Sequence, residues 1–106
     1  MPDASFADFV RDQLQGLGDV DCRAMFGGYG LYSCGAFFGI ISRGQLYFKT
    51  TTATRAAYQA RGMKPFRPSA RQTLKSYYAV PAEILEDTDQ LVAWARQAVQ
   101  SRPEGR

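Results

Sequence analysis

No histidine occurs in this chain of 106 residues. That removes the commonest general base, the commonest metal ligand, and every Ser–His or Cys–His nucleophile pair. Cysteine is scarce as well. Cys22 and Cys34 lack CxxC spacing and cannot complete a tetrahedral zinc site alone. Both read as small core residues of a reducing compartment. No apolar run approaches the length that spans a bilayer, and Met1-Pro2-Asp3 lacks the regions of a signal peptide. The expectation is a cytoplasmic protein with no membrane partner, no metal, no cofactor and no catalytic residue, hence not an enzyme.

Carboxylates are missing from most of the chain. Residues 22–82 carry nine cations and no acid: Arg23, Arg43, Lys49, Arg55, Arg61, Lys64, Arg67, Arg71 and Lys75. The acids sit on either side, with Asp3, Asp8, Asp12, Asp19 and Asp21 before, and Glu83, Glu86, Asp87, Asp89 and Glu104 after. The net charge of +3 therefore hides a strong segregation. Two readings fit: an anion-binding surface, or acidic terminal helices packed beside a basic sheet.

Aromatics and glycines are plentiful. Seven Phe and six Tyr in one domain-sized chain imply an aromatic core. Residues 1–106 read as a single domain with an ordered core over about 5–100. Segment 5–17 reads as an amphipathic helix capped by Ser5 with Asp8, burying Phe6, Phe9, Val10, Leu14 and Leu17. Gly16 and Gly18 are its stops. Strands follow at Val20–Phe26, Tyr29–Ser33, Ala36–Ser42 and Gln45–Thr50. Gly27-Gly28 breaks the run, and Cys34-Gly35 and Arg43-Gly44 form two-residue turns. This is an antiparallel meander.

Those turns set a register. Ile41 faces Leu46, Ile40 faces Tyr47 and Gly39 faces Phe48; Tyr32 faces Phe37 and Leu31 faces Phe38. One sheet face then carries Tyr32, Phe37, Gly39, Ile41, Leu46 and Phe48. The other carries Tyr29, Leu31, Phe38, Ile40, Tyr47 and Lys49. Both faces are apolar, so both are expected to be covered, one by helices and one by a further layer or a partner subunit. Beyond the meander, Ala53–Ala60 is helical and 63–68 is extended. Ser69–Gln72 is a basic loop tip, and Thr73–Val80 is the last strand. Pro81 starts a short helical turn. Asp87 caps a C-terminal helix to about Gln100, with Leu91, Trp94, Ala95, Ala98 and Val99 inward. Residues 102–106 should fray.

The string Arg23-Ala24-Met25-Phe26-Gly27-Gly28-Tyr29-Gly30-Leu31-Tyr32 resembles the opening motif of the TfoX/Sxy N-terminal domain family. So do Phe37-Phe38-Gly39-Ile40-Ile41, Leu46-Tyr47-Phe48-Lys49-Thr50, Gly62-Met63-Lys64-Pro65-Phe66 and Ser76-Tyr77-Tyr78-Ala79-Val80-Pro81. Leu85-Glu86-Asp87 followed by Trp94-Ala95 also fits, and the resemblance covers about residues 5–100. It implies an α+β fold, a central antiparallel meander flanked by N- and C-terminal helices, similar to secretion-chaperone-like domains. It implies a role like that of bacterial competence regulators, acting on transcription with the cyclic-AMP receptor factor as partner. Those regulators carry a second, C-terminal domain, so the resemblance is to a stand-alone N-terminal domain. Thr51 stands where the family often shows Asp.

Gly27-Gly28-Tyr29-Gly30 lacks the spacing and following helix of a phosphate loop and reads as a hairpin with glycine at positive φ. Arg23, Lys49 and Lys64 either meet an acidic partner or a phosphate, or bond to Asp19, Asp21, Glu86 or Asp87, or cover an aromatic face. Tyr77-Tyr78 and Phe66, flanked by Lys75, Arg67 and Arg71, form either a base-stacking platform or a strand of alternating burial. Glu83, Glu86 and Asp87 suit helix starts.

Three hypotheses follow. The first is a non-enzymatic regulatory module acting through protein contacts, self-associated as a homodimer or bound to a partner, on the face holding Tyr29, Ile40, Tyr47 and Lys49. The second is direct nucleic-acid binding through residues 61–75, with Lys64, Arg67, Arg71 and Lys75 as contacts. The third, an enzyme or small-ligand binder, needs a pocket that sequence does not name.

Overall fold

The two-residue turns are the local rule from which the sheet grows. Cys34 and Gly35 have φ of 51° and 83°, and Arg43 and Gly44 have 53° and 74°. Two consecutive residues at positive φ make the turn whose twist suits a right-handed hairpin. In the computed structural model, which describes residues 2–25 and 28–100, these turns join β2 (Gly28–Ser33), β3 (Ala36–Ser42) and β4 (Gln45–Lys49). β1 (Asp21–Met25) pairs with β2. The expected ends at Phe26 and Gly27, and the fraying of 102–106, lie outside the described residues.

After β4 the chain leaves the sheet as helix α2 (Thr52–Ala60). Thr51 caps it, its hydroxyl accepting from the Thr54 amide while the Thr54 hydroxyl accepts from the Thr51 amide. A threonine thus forms the reciprocal cap without a carboxylate. The chain returns as the hairpin β5 (Pro65–Ser69) and β6 (Gln72–Ala79). The region expected to be merely extended is therefore a strand. The sheet order is β1-β2-β3-β4-β6-β5 with every pairing antiparallel. The fold is α+β, a meander extended by one returning hairpin.

α1 (Pro2–Gln13) starts before the expected cap, so Ser5 lies inside the helix and the Ser5–Asp8 box is not its start. Proline suits a first helical position because its missing N–H has no partner there anyway. A 3-10 turn (Gln15–Leu17) follows and ends at Gly18, φ 101°. α3 (Ala82–Leu85) and α4 (Thr88–Gln100) close the chain. Asp87 accepts from the Gln90 amide at 3.1 Å, the expected cap of α4.

All four helices bury side chains in one cluster against one sheet face. Ala7, Val10 and Leu14 of α1, Tyr58 of α2, Ile84 of α3, and Leu91, Ala95 and Ala98 of α4 meet Leu31, Phe38, Ile41, Leu46, Phe48 and Tyr78. Each large side chain removed from water here contributes about 1.5–3 kcal/mol. Phe9, expected inward, is exposed and lies against Phe6 instead, with Ala7 taking the inward place. Val92 is buried where Trp94 and Val99 are only half-buried. Cys22 is half-buried, but Cys34, expected in the core, is exposed in its turn.

One register expectation fails, and the failure shapes the other face. Ile41 pairs with Leu46, Ile40 with Tyr47 and Gly39 with Phe48, as the turn requires. Tyr32 pairs with Phe37, but Leu31 pairs with Gly39 instead of Phe38. Phe38 is the extra residue of a β-bulge. A bulge breaks the alternation of sides. Phe38 therefore joins Gly39 and Ile41 toward the helices, and Tyr32 and Phe37 move to the opposite face.

The glycines at the start of β2 serve close approach. β1 and β2 form the expected hairpin, with Met25 opposite Gly28; Gly28 and Gly30 are not at positive φ, and Gly27 lies outside the described residues. A methyl on Gly28 would run into the carbonyl oxygen of Ile41.

Candidate functional site

The helix layer covers one side of the sheet. On the other side, cross-strand pairing aligns Arg23 with Gly30, Gly30 with Ile40, and Ile40 with Tyr47. Lys49 pairs with Tyr77 on the same side. None of these residues belongs to the helix-facing cluster.

Here the rings shelter one another. Tyr32 and Phe37 lie 5.1 Å apart between centres, Phe37 and Tyr77 5.5 Å, and Tyr47 and Phe66 4.7 Å. Ile40 is 3% exposed and Phe66 4%, although no helix of the cluster lies over them. Tyr32, Phe37, Tyr47 and Tyr77 remain half-exposed. The expectation of apolar side chains on both faces holds. Among the described residues, however, the second face is roofed by its own aromatics and carries no second layer.

Burial acts on the phenols of this face. Tyr77 is pushed up from 10.0 to about 12, by burial first and by the neighbouring Tyr32 phenol second. Burial also raises Tyr47, and the positive charge of Arg43 offsets part of that rise. Arg23 lies 4.6 Å above the Tyr32 ring and 3.3 Å from the Asp21 carboxylate. It thus takes both of the structural roles open to it, a partner for an acid and a cover for a ring. Asp21 is the sole carboxylate in the six strands.

The four residues expected to share an interaction face separate into two groups. Ile40, Tyr47 and Lys49 lie together on the uncovered side. Tyr29 does not: it pairs with Ala24 and Ile41 and packs against the helix-facing core. Its place is taken by Tyr32 and Phe37, which the bulge brings over.

The four expected nucleic-acid contacts are all exposed but spread along the last hairpin. Lys64 precedes β5, where its carbonyl accepts from Ala79. Arg67 and Arg71 lie toward the hairpin tip, where Arg67 donates to the Ala70 carbonyl at 2.9 Å. Lys75 lies midway along β6. The structure therefore gathers part of the set and not the whole. Tyr78 turns into the core and Tyr77 to the open face, the alternating strand reading.

One feature escaped the sequence reading. The β3–β4 turn and the β5–β6 hairpin enclose a cleft of about 350 Å³ lined by Ser42, Arg43, Tyr47, Phe66, Arg67 and Pro68. A signal existed in the arginine at the first turn position, where Asn, Asp or Gly is usual.

Glu83 and Asp87 stand at helix starts as expected, whereas Glu86 is the C-cap of α3. Asp87 is held below its ordinary carboxylate value by hydrogen bonds from Gln90, and Glu83 lies 3.9 Å from Arg61. Among the described residues no group of His, Cys, Asp and Glu is arranged to hold a metal ion. No helix among the described residues is long and apolar enough to cross a membrane. Residues 12–101 match the family model described as the TfoX N-terminal domain. No curated protein matches the sequence.

Proposed function

Because the chain belongs to the TfoX N-terminal domain family, we propose that it is a non-enzymatic regulatory module that docks an acidic partner protein on its uncovered sheet face. The observation that carries this reading is the half-exposed row of Tyr32, Phe37 and Tyr77 rings, with half-exposed Tyr47 against Phe66 on the same side, on a face no helix covers. Aromatic and arginine side chains are the groups that anchor protein interfaces. Charge selects the occupant. Arg23 and Lys49 lie on the face, and its one carboxylate is held by Arg23. Two copies placed face to face would oppose these cations, whereas an acidic partner would match them. A partner in transcription control suits the competence-regulator resemblance of the family.

The test is capture from the native cell with the wild-type chain and with Tyr32→Ser and Tyr77→Ser, followed by rebinding of the captured protein from purified components. A partner of acidic surface that rebinds the wild type, weakens with salt, and is lost with both variants supports the reading. Binding unchanged by both substitutions overturns it. So does concentration-dependent self-association, seen by sedimentation and abolished by the same substitutions, which would make a second copy the occupant.

A further inference from the structure

The cleft between the Arg43 turn and the β5–β6 hairpin combines two chemistries. Its floor is aromatic and apolar: the half-exposed Tyr47 ring is backed by Phe66 at 4.7 Å, with Pro68 beside it. Its rim is cationic, with Arg43 on one side and Arg67 on the other. The same two arginines line an adjoining depression of about 380 Å³ with Pro68, Ser69 and Ala70. The two arginines therefore line both depressions.

The turn geometry does not by itself call for an arginine at position 43. The first position of the equivalent β2–β3 turn holds Cys34, in the same positive-φ conformation. Arg67 sits on an edge strand, where its donation to the Ala70 carbonyl uses one N–H and holds the rest of the fork in place. No carboxylate lines either depression. A planar ring floor with a guanidinium pair at its lip is the combination that holds a base and a phosphate together. A volume of about 350 Å³ lies at the small end of ligand-sized clefts, which run from roughly 300 to 1,000 Å³.

We propose that this cleft binds a nucleotide, its base against Tyr47 and its phosphate between Arg43 and Arg67. The nucleotide is either free or one residue of a single strand. A duplex does not fit, because its bases are stacked away and cannot reach the ring. This site shares Tyr47 with the protein-docking face, but Tyr32, Phe37 and Tyr77, whose substitution tests that reading, do not line it.

The experiment measures fluorescence anisotropy with end-labelled single-stranded oligonucleotides of mixed sequence, RNA and DNA, over a range of salt. A duplex of equal length serves as comparison and unlabelled mononucleotides as competitors. Arg43→Asn keeps a residue suited to the turn, Arg67→Ala removes the other cation, and Tyr47→Leu removes the ring. Arg11→Ala, on the exposed side of α1, is the control for net charge. The proposal expects single strand over duplex and a weakening of about tenfold for Tyr47→Leu. Each cleft arginine replaced should lower the slope of log affinity against log salt by about one. Competition by mononucleotides at similar affinity identifies the free ligand as the source, and its absence identifies the strand. The proposal is overturned if neither strand nor mononucleotide binds at low salt, if duplex binds as well as single strand, or if Arg11→Ala weakens binding as much as Arg67→Ala. Loss of partner capture with Tyr32→Ser and Tyr77→Ser would leave these outcomes unchanged, so the two readings fail separately.

Discussion

Phe37 and Tyr77 touch, their ring centres 5.5 Å apart, although β4 lies between their strands. The contact exists because Phe38 is an extra residue in β3. The bulge turns Phe37 to the open face, where Tyr77 stands beside Lys49. A sheet without the bulge would have sent Phe37 into the helix layer.

Replacing Phe37 with Ala is expected to lower stability by about 2 kcal/mol, less than for a fully buried phenylalanine, because the ring keeps partial access to water. A double-mutant cycle with Tyr77→Ala should show a coupling of about 0.5–1.5 kcal/mol. Urea unfolding followed by circular dichroism measures both. Strict additivity would mean that the two rings contribute nothing to each other.

The Tyr77 phenol also predicts a pH response. Unfolded, it ionises near 10.0; folded, it holds its proton to about 12. The unfolded chain therefore loses this proton first. The associated stability is complete below pH 10 and declines as the pH rises toward 12. Burial raises Tyr58 further in the same direction. Ultraviolet titration should show at least two phenols ionising late, together with unfolding. Six tyrosines titrating in one step near pH 10 on a folded protein would contradict this.

Thr50 ties β4 to β6 from inside. It is 1% exposed, its hydroxyl donates to the Ser76 carbonyl at 2.9 Å, and it accepts from the Arg55 side chain at 3.1 Å. Thr50→Val keeps the shape and removes both bonds. The Ser76 carbonyl still receives the Thr50 amide, whereas the half-buried Arg55 Nε–H loses this acceptor. The expected cost is about 1–2 kcal/mol. A thermal midpoint within a degree of wild type would show the pair to be without weight.

Gly28 and Gly30 should respond differently to alanine. At Gly28 the added methyl strikes the backbone of β3 at Ile41, which cannot yield without breaking pairing. At Gly30 it meets the Met25 sulfur at 2.6 Å and the Phe37 ring at 3.0 Å, side-chain atoms that are able to shift. Gly28→Ala is expected to cost about 3 kcal/mol or more, and Gly30→Ala about 1 kcal/mol. Gly30→Ala should also disturb the open face, visible as altered ring shifts of Phe37 and Tyr32 in nuclear magnetic resonance. Equal costs would refute the distinction.

Much was legible from local chemistry. Arg43-Gly44 specifies its turn, and the turn specifies that Ile40 opposes Tyr47, because a two-residue loop allows one register. The cap at Asp87, the apolar character of both faces and the absence of histidine chemistry also follow from residue types and short-range geometry. Three things did not. Whether Phe37 or Phe38 faces the helices depends on one inserted residue, and both are phenylalanine, so hydrophobicity cannot distinguish them. Tyr29 reads like its open-face neighbours, yet its pairing with Ala24 and Ile41 assigns it to the core side. Arg43 and Arg67 meet at one cleft because β6 returns beside β4 and places β5 at the edge. That closure comes from long-range packing of the helices and the last hairpin, a sum over many buried contacts that no short stretch of chain encodes.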